Sequence, residues 1–271
     1  MSTDATPADA AAAPAPAPWQ ERIVPGRFEG RTVIVTGAGS GIGLATALRV
    51  AREGGRVVAA DVSQERLDAL VREHSDLDLV PVAGDISSEE VVAEVVAAAG
   101  GRVDGLANIA GIMDSFAPVH ELDDATWERV MRVNVTAIIR LTRAVVPLML
   151  DAGHGSVVNV SSEAGIRGSA AGVAYTASKH AVVGITRNSA VMYGPRGLRF
   201  NTVAPGATIT NIEAHFASEL AAQRLGPFMQ ANVGTPAQAA ELAASITFLL
   251  SDDGTNVNGV VLPSDGGWNA I

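Results

Sequence analysis

The chain of 271 residues predicts an α/β fold, a doubly wound parallel sheet of about seven strands with helices on both faces. Three observations lead there. Short β-branched runs alternate with longer helical patterns from Phe28 onward. The runs VIVTG and VVAAD are almost continuously apolar, as strands buried on both faces must be. Apolar residues make up 48% against 18% charged and 4% aromatic, the balance of a compact core rather than of a disordered or fibrous chain.

Taken in order, the strand candidates are 32–36, 56–61, 79–83, 103–108, 156–161, 199–204 and 260–262. Between them lie helical patterns over 42–54, 64–74, 88–100, 124–151, 174–194 and 236–251. No break in composition divides 25–271, which reads as a single domain. Ahead of it, MSTDATPADAAAAPAPAPWQ is rich in Ala and Pro and lacks the early basic residues and unbroken apolar run of a secretory signal. Residues 1–24 are therefore expected as a disordered tail, with Trp19 docking on the body, and the protein as cytoplasmic. A net charge of −10 argues against nucleic acid or an anionic membrane as partner. Cysteine is absent, the five histidines form no H-x3-H pair, and no run nears the roughly 18 apolar residues of a membrane span, so neither a metal site nor a membrane role is expected.

The first strand runs into Thr36-Gly37-Ala38-Gly39-Ser40-Gly41-Ile42-Gly43 and then a helix. Glycines there allow a tight turn and a close approach of backbone to a pyrophosphate at the helix N-terminus. The spacing, T-G-x3-G-x-G, differs from the commoner G-x-G-x-x-G. Asp61 ends the second strand, where a carboxylate accepts from adenosine ribose hydroxyls and repels a 2′-phosphate; this argues for NAD over NADP, with Arg66 the nearest cation. Its other reading is a cap for the helix starting near Ser63. Asp85-Ile86 either brackets an adenine or caps the next helix. Asn108, Ala110 and Gly111 follow the fourth strand, where small residues let cofactor and backbone lie close. Asn134 sits inside a long apolar-striped helix, a position of poor propensity that reads, in isolation, as a satisfied core amide.

The fifth strand ends in Ser161-Ser162, and strand carboxyl ends are where open α/β sheets hold ligands. Pro205-Gly206, Thr208 and Thr210 follow the sixth strand and face the same crevice. On the 174–194 helix, Tyr175 and Lys179 are four apart and share a face. That pair is either an ordinary surface pair or an ammonium drawing a phenol down from its usual pKa of about 10, suited to interconverting an alcohol and a carbonyl.

These residues together resemble the short-chain dehydrogenase/reductase family in its compact single-domain branch, over nearly everything from 28 to 267. TGAGSGIG, Asp61, NIAG at 108–111, Asn134, Ser162, YTASK at 175–179, PGATIT at 205–210 and Asp265-Gly266-Gly267 carry the resemblance. It implies a Rossmann-type fold binding NAD at Gly37, Ser40, Gly41, Ile42, Gly43, Asp61, Asp85, Ile86, Asn108, Ala110, Gly111, Tyr175, Lys179, Pro205, Gly206, Thr208 and Thr210. The implied catalytic set is Asn134, Ser162, Tyr175 and Lys179. Tyr175 exchanges a proton with the substrate oxygen, which Ser162 orients; Lys179 holds the nicotinamide ribose and lowers the Tyr175 pKa; Asn134 holds a water in a proton relay. The resemblance further implies a mobile lid over about 207–233 and a homotetramer. The lid residues His215, Phe216, Leu220, Leu225, Phe228 and Met229 suggest an alcohol or ketone with a hydrophobic body. Glu163 and Arg167 meet a polar substituent or are solvated.

Two departures stand out. Asn-Ile-Ala-Gly replaces the usual Asn-Asn-Ala-Gly, and Leu262-Pro263-Ser264 precedes the final Asp-Gly-Gly, so the last strand is expected to end at Leu262. Three other readings are set beside the main one. An enoyl reductase spaces Tyr and Lys more widely, an epimerase or dehydratase needs a larger C-terminal domain, and a non-catalytic dinucleotide-binding regulator would tolerate loss of the catalytic groups.

Overall fold

The computed structural model describes residues 19–211 and 215–270. Its elements are β1 (Thr32–Thr36), α1 (Gly41–Arg52), β2 (Arg56–Asp61), α2 (Gln64–Glu73), β3 (Leu79–Ala83), α3 (Glu89–Ala98), β4 (Gly105–Asn108), α4 (Asp124–Met131) and α5 (Ala137–Ala152). There follow β5 (Gly155–Val160), α6 (Val173–Tyr193), β6 (Leu198–Pro205), β7 (Thr208–Ile209), α7 (Glu219–Asn232), β8 (Ala237–Gln238), α8 (Ala239–Leu250) and β9 (Val261–Ser264). Seven strands form one parallel sheet in the order β3-β2-β1-β4-β5-β6-β9, and β7 with β8 makes a small parallel ribbon. The order reverses between β1 and β4, and a crevice opens outside the carboxyl ends there.

Each strand sends alternate residues to opposite faces. Val33 and Val35 of β1 join Val50 of α1, Leu67 of α2 and Ile246 of α8 in one core. Ile34 joins Val95 of α3, Leu141 and Met149 of α5 and Phe200 of β6 in the other. Both faces are thereby covered, which is why these strands lack a polar alternation.

The helix expected over 124–151 is a continuous rod with a π turn at Arg132–Thr136 between α4 and α5. By length and mean hydropathy alone Asp124–Ala152 could cross a bilayer, although charged residues interrupt it and no run nears the roughly 18 apolar residues of a span. Its apolar stripe is nonetheless a core face, with Leu141, Val145 and Met149 buried against the sheet.

The last strand also departs from expectation, continuing through Pro263 to Ser264. Thr202 N–H bonds Val260 O and Gly206 N–H bonds Ser264 O, so even-numbered residues of β9 face β6. The nitrogen of Pro263 points to the outer edge, where no ladder bond is required.

Of the expected tail, residues 1–18 lie outside the described residues. The rest is held rather than free: Glu21 pairs with Arg49 and Arg52, Arg22 O accepts from Arg49, and Val24 N–H donates to Glu53. Trp19 does not dock and is 46% exposed.

A buried polar chain ties the sheet to α6. Asn108 Nδ2 donates to Asn159 Oδ1 at 2.8 Å, and Asn159 Nδ2 donates to Thr186 Oγ1 at 2.9 Å. Thr202 Oγ1 reaches the same Thr186 oxygen at 2.8 Å. Replacing Asn159 by Ala takes a buried hydrogen bond from each of Asn108 and Thr186, and urea denaturation should show a loss of about 2–4 kcal/mol; a loss below about 0.5 kcal/mol would mean that the chain is not a structural tie.

Candidate active site

The glycine turn closes the carboxyl end of β1. Gly43 packs so tightly on the turn that a Cβ there would lie 2.0 Å from Gly37 O, so no other residue fits. Asp61 is 6% exposed; its Oδ2 accepts from Gly39 N–H at 2.9 Å and its Oδ1 from Ser63 N–H at 3.0 Å. Asp61 is not the cap of α2, because Ser63 Oγ takes the Arg66 amide. Asp85 likewise leaves the capping of α3 to Ser88 and instead pairs with Arg132 at 2.6 Å.

After β4, Thr36 Oγ1 accepts from the amides of Ile109 and Ala110, tying that loop to the end of β1. Asn108 and Ile86 turn their side chains away from the crevice, Asn108 into the buried amide chain and Ile86 into the core. Across the crevice, Thr210 packs within van der Waals reach of Gly41, and Thr208 Oγ1 donates to Gly206 O at 3.2 Å.

Asn134 occupies the π turn and is fully buried. Its Oδ1 accepts from Ile112 N–H at 2.9 Å; its Nδ2 donates to Ile112 O at 3.0 Å and Ser178 Oγ at 3.1 Å. A π turn widens the helix locally, and here it aims this amide between the β4 loop and α6. Lys179 is buried and donates from Nζ to Val160 O at 2.9 Å, with Ser161 Oγ donating back to Lys179 O at 2.9 Å. The Lys179 ammonium lies 5.4 Å from the Tyr175 ring centroid, and the Tyr175 phenol lies beside the Ser162 side chain. Asn134, Ser162, Tyr175 and Lys179 thus converge at the carboxyl ends of β4 and β5.

The protonation states differ from the sequence expectation. Burial pushes the Tyr175 phenol up to about 12, opposed by the neighbouring Ser162 side chain and reinforced by the charge of Asp114. Burial also brings Lys179 down to about 8. Desolvation is the largest cause of both shifts, and the chain's own groups hold the phenol protonated.

One site residue, Asp114, escaped the sequence reading. Asp114 touches the backbone of Tyr175, and its only sequence signal is indirect: α6 begins at a Gly172 cap with no capping side chain. Glu163 and Arg167 are neither solvated nor turned to a substrate. Arg167 pairs with Glu163 at 2.8 Å, donates to Asn269 and lies over the Trp268 ring. Glu163 is buried beside Asp265, and burial first, then the neighbouring Asp265 carboxyl, push its carboxyl up to about 7 against the pull of Arg167. Asp265 is held below the usual range: burial acts to raise it, but the Gly267 amide, the Glu163 side chain, the Asn269 amide and Arg167 prevail. These contacts fasten the C-terminal turn beside Ser162.

A parallel sheet with a glycine turn at its first strand end, an acid at its second and a Ser–Tyr–Lys cluster at its switch point defines a nucleotide-dependent oxidoreductase scaffold. The short chain dehydrogenase family model matches residues 31–221. Levodione reductase from Leifsonia aquatica is 39% identical over 256 residues, covering 90% of this chain and 96% of that protein. A 3beta-hydroxysteroid dehydrogenase from Eggerthella lenta is 39% identical over 253 residues, covering 89% and 95%. The crystal structure of levodione reductase superposes with a TM-score of 0.82 at 38% identity, covering 90% of this chain and 99% of that one. A Beutenbergia cavernae protein described as a putative NAD(P)-dependent gluconate 5-dehydrogenase, with NADP at low occupancy, gives 0.80 at 36% identity, covering 91% and 100%. The chain belongs to the short-chain dehydrogenase/reductase family of oxidoreductases, which bind a nicotinamide dinucleotide and act on small molecules.

Glu163 yields a stability test. Its proton is held in the folded state up to about 7 but released near 4.5 in the unfolded chain. Its contribution is therefore complete below about 4.5 and declines as pH rises to about 7. Urea midpoints should show this decline in the wild type, and Glu163→Gln, which keeps a neutral donor towards Asp265, should flatten it. A slope unchanged in Glu163→Gln would assign the titration elsewhere.

Proposed function

We propose that the chain interconverts a secondary alcohol and a ketone by hydride transfer, prefers NAD to NADP, and uses Tyr175 as general acid/base. The observation that carries this reading is one phenol beside Ser162, its ring centroid 5.4 Å from the Lys179 ammonium, at the carboxyl edge of β5. The residues fit a dinucleotide, because the Gly37–Gly43 turn is a cradle that a Cβ at Gly43 would fill, and the Asp61 carboxylate is aimed at that turn. Residues 37–43, Asp61, the 108–111 backbone, Lys179 and the 205–210 loop would hold it, with Asp85 and Ile86 at the adenine. When bound, the nicotinamide supplies the hydride acceptor or donor.

Tyr175 gives its proton to the substrate oxygen in reduction and takes one from it in oxidation. Ser162 orients that oxygen. Lys179 grips the ribose and offers positive charge to the phenolate as it forms. Asn134 keeps the β4 loop and α6 in register, so that Lys179 stays on the crevice. Residues 25–271 act as a single domain, and 207–233 act as its lid, of which 212–214 lie outside the described residues. The exposed Phe216, Leu220 and Phe228 favour a substrate with a hydrophobic body, as do the names of the dione reductase and hydroxysteroid dehydrogenase relatives. Exposed Trp127 on α4 and Val191 and Met192 on α6 support the homotetramer; light scattering at micromolar concentration should give four subunits, and a monomer would reject it.

Turnover of NAD(H) with a panel of secondary alcohols and ketones tests the reaction. Tyr175→Phe should lower kcat by roughly 10²–10⁴ while NADH binding persists. Full activity in that variant would reject the mechanism, and NADH binding without turnover of any panel member would favour a dinucleotide-binding regulator. Asp61→Ala should narrow the NAD-over-NADP ratio of kcat/KM; an unchanged ratio would remove Asp61 from the ribose site.

A further inference from the structure

Helix α6 carries Tyr175 three residues past its cap, yet that cap is Gly172, which has no side chain to accept the first free amides. The carboxylate of Asp114, 58 positions earlier, sits there instead. Oδ2 accepts the Tyr175 amide at 2.8 Å, and Oδ1 accepts the amides of Gly172 and Phe116, each at 3.2 Å. Asp114 is 1% exposed, and a Cβ on Gly172 would lie 2.6 Å from its Oδ2, so the glycine is what lets the carboxylate in. The loop bends sharply to deliver it: Ser115 and Phe116 take φ of 57° and 61°, a left-handed conformation costly for a side chain such as Phe. Ser115 O accepts the Ala217 amide at 3.1 Å, and the Phe116 and Phe216 rings stack at 4.3 Å, so the same loop meets the segment ahead of α7.

We infer that Asp114 is a positioning residue, a remote N-cap that sets the height of Tyr175 against Ser162 and holds a negative charge beside the phenol. This deepens the proposed reaction and rests on it for its kinetic arm. Three groups face the phenol: Lys179 on α6 itself, Ser162 after β5 and Asp114 after β4. Of these only Asp114 brings negative charge, and with burial it keeps the proton on the phenol. Asp114→Asn removes that charge and presents an amide donor to one of the three N–H groups. Tyr175 should then ionise at lower pH and sit less firmly.

The chain has two tyrosines, so a Tyr193→Phe background leaves Tyr175 as the single 13Cζ-tyrosine resonance. In that background Asp114→Asn should start the phenolate shift roughly half to one pH unit lower, and Asp114→Ala should broaden or split the resonance at neutral pH. In turnover, Asp114→Asn should move the acid limb of the kcat profile for alcohol oxidation the same way and lower kcat roughly 10- to 100-fold, with KM for NAD changed less than twofold. An unmoved titration and kcat limb in Asp114→Asn overturn the inference, as does a single sharp resonance in Asp114→Ala. Should Asp114→Ala not fold, Asp114→Asn decides alone. A shifted resonance without turnover of any alcohol would uphold the role of Asp114 while rejecting the reaction.

Discussion

The crevice depends on how α6 is seated on β5. Tyr175 and Lys179 share a helix face by spacing alone, but a helix can rotate or slide on a sheet unless specific bonds stop it. Here Thr186 receives Asn159 and Thr202, Lys179 exchanges bonds with Val160 and Ser161, and Ser178 receives Asn134. Each of these groups is buried, and a buried donor left without its partner costs far more than a satisfied one yields. The helix therefore has one register in which all of them are met, and that register puts the phenol beside Ser162.

Desolvation dominates the electrostatics of the site. It keeps Tyr175 protonated, brings Lys179 towards neutrality, and leaves Glu163 holding a proton close to Asp265. Charges brought near in sequence do not decide these states; the low polarity of their surroundings does. In such a setting a cation added to the crevice would bear more strongly on the phenol than it would in water.

Much of the frame was legible in the residue order. The seven strands of the main sheet fell where β-branched runs alternate with helical stretches, because burial on both faces leaves an unbroken apolar signal. The glycine turn was legible because close backbone approach excludes any side chain at Gly43. The acids left two readings open where two candidate caps lay within three residues: Ser63 and Ser88 cap their helices, leaving Asp61 for the glycine turn and Asp85 for Arg132. Propensity rates such neighbours alike, and the outcome turns on where a partner from another element stands. Pro263 misled for a similar reason, since a missing N–H is harmful only on the side that pairs, and β9 is an edge.

By itself, then, the sequence determined the alternation of strands and helices, the turn that must be glycine, and the family signature, all set by periodicity or by steric limits within a few residues. Tertiary structure decided the partners. Asp114 reaches an amide 61 positions on, and Arg167 reaches Asn269 across 102. The choice of a carboxylate's partner depends on which backbone ends the packing brings within about 3 Å, and nothing local in the chain encodes that distance. The same packing buried the Tyr175 phenol, so a pair that spacing alone leaves open between a surface pair and an activated phenol keeps its proton in the chain by itself.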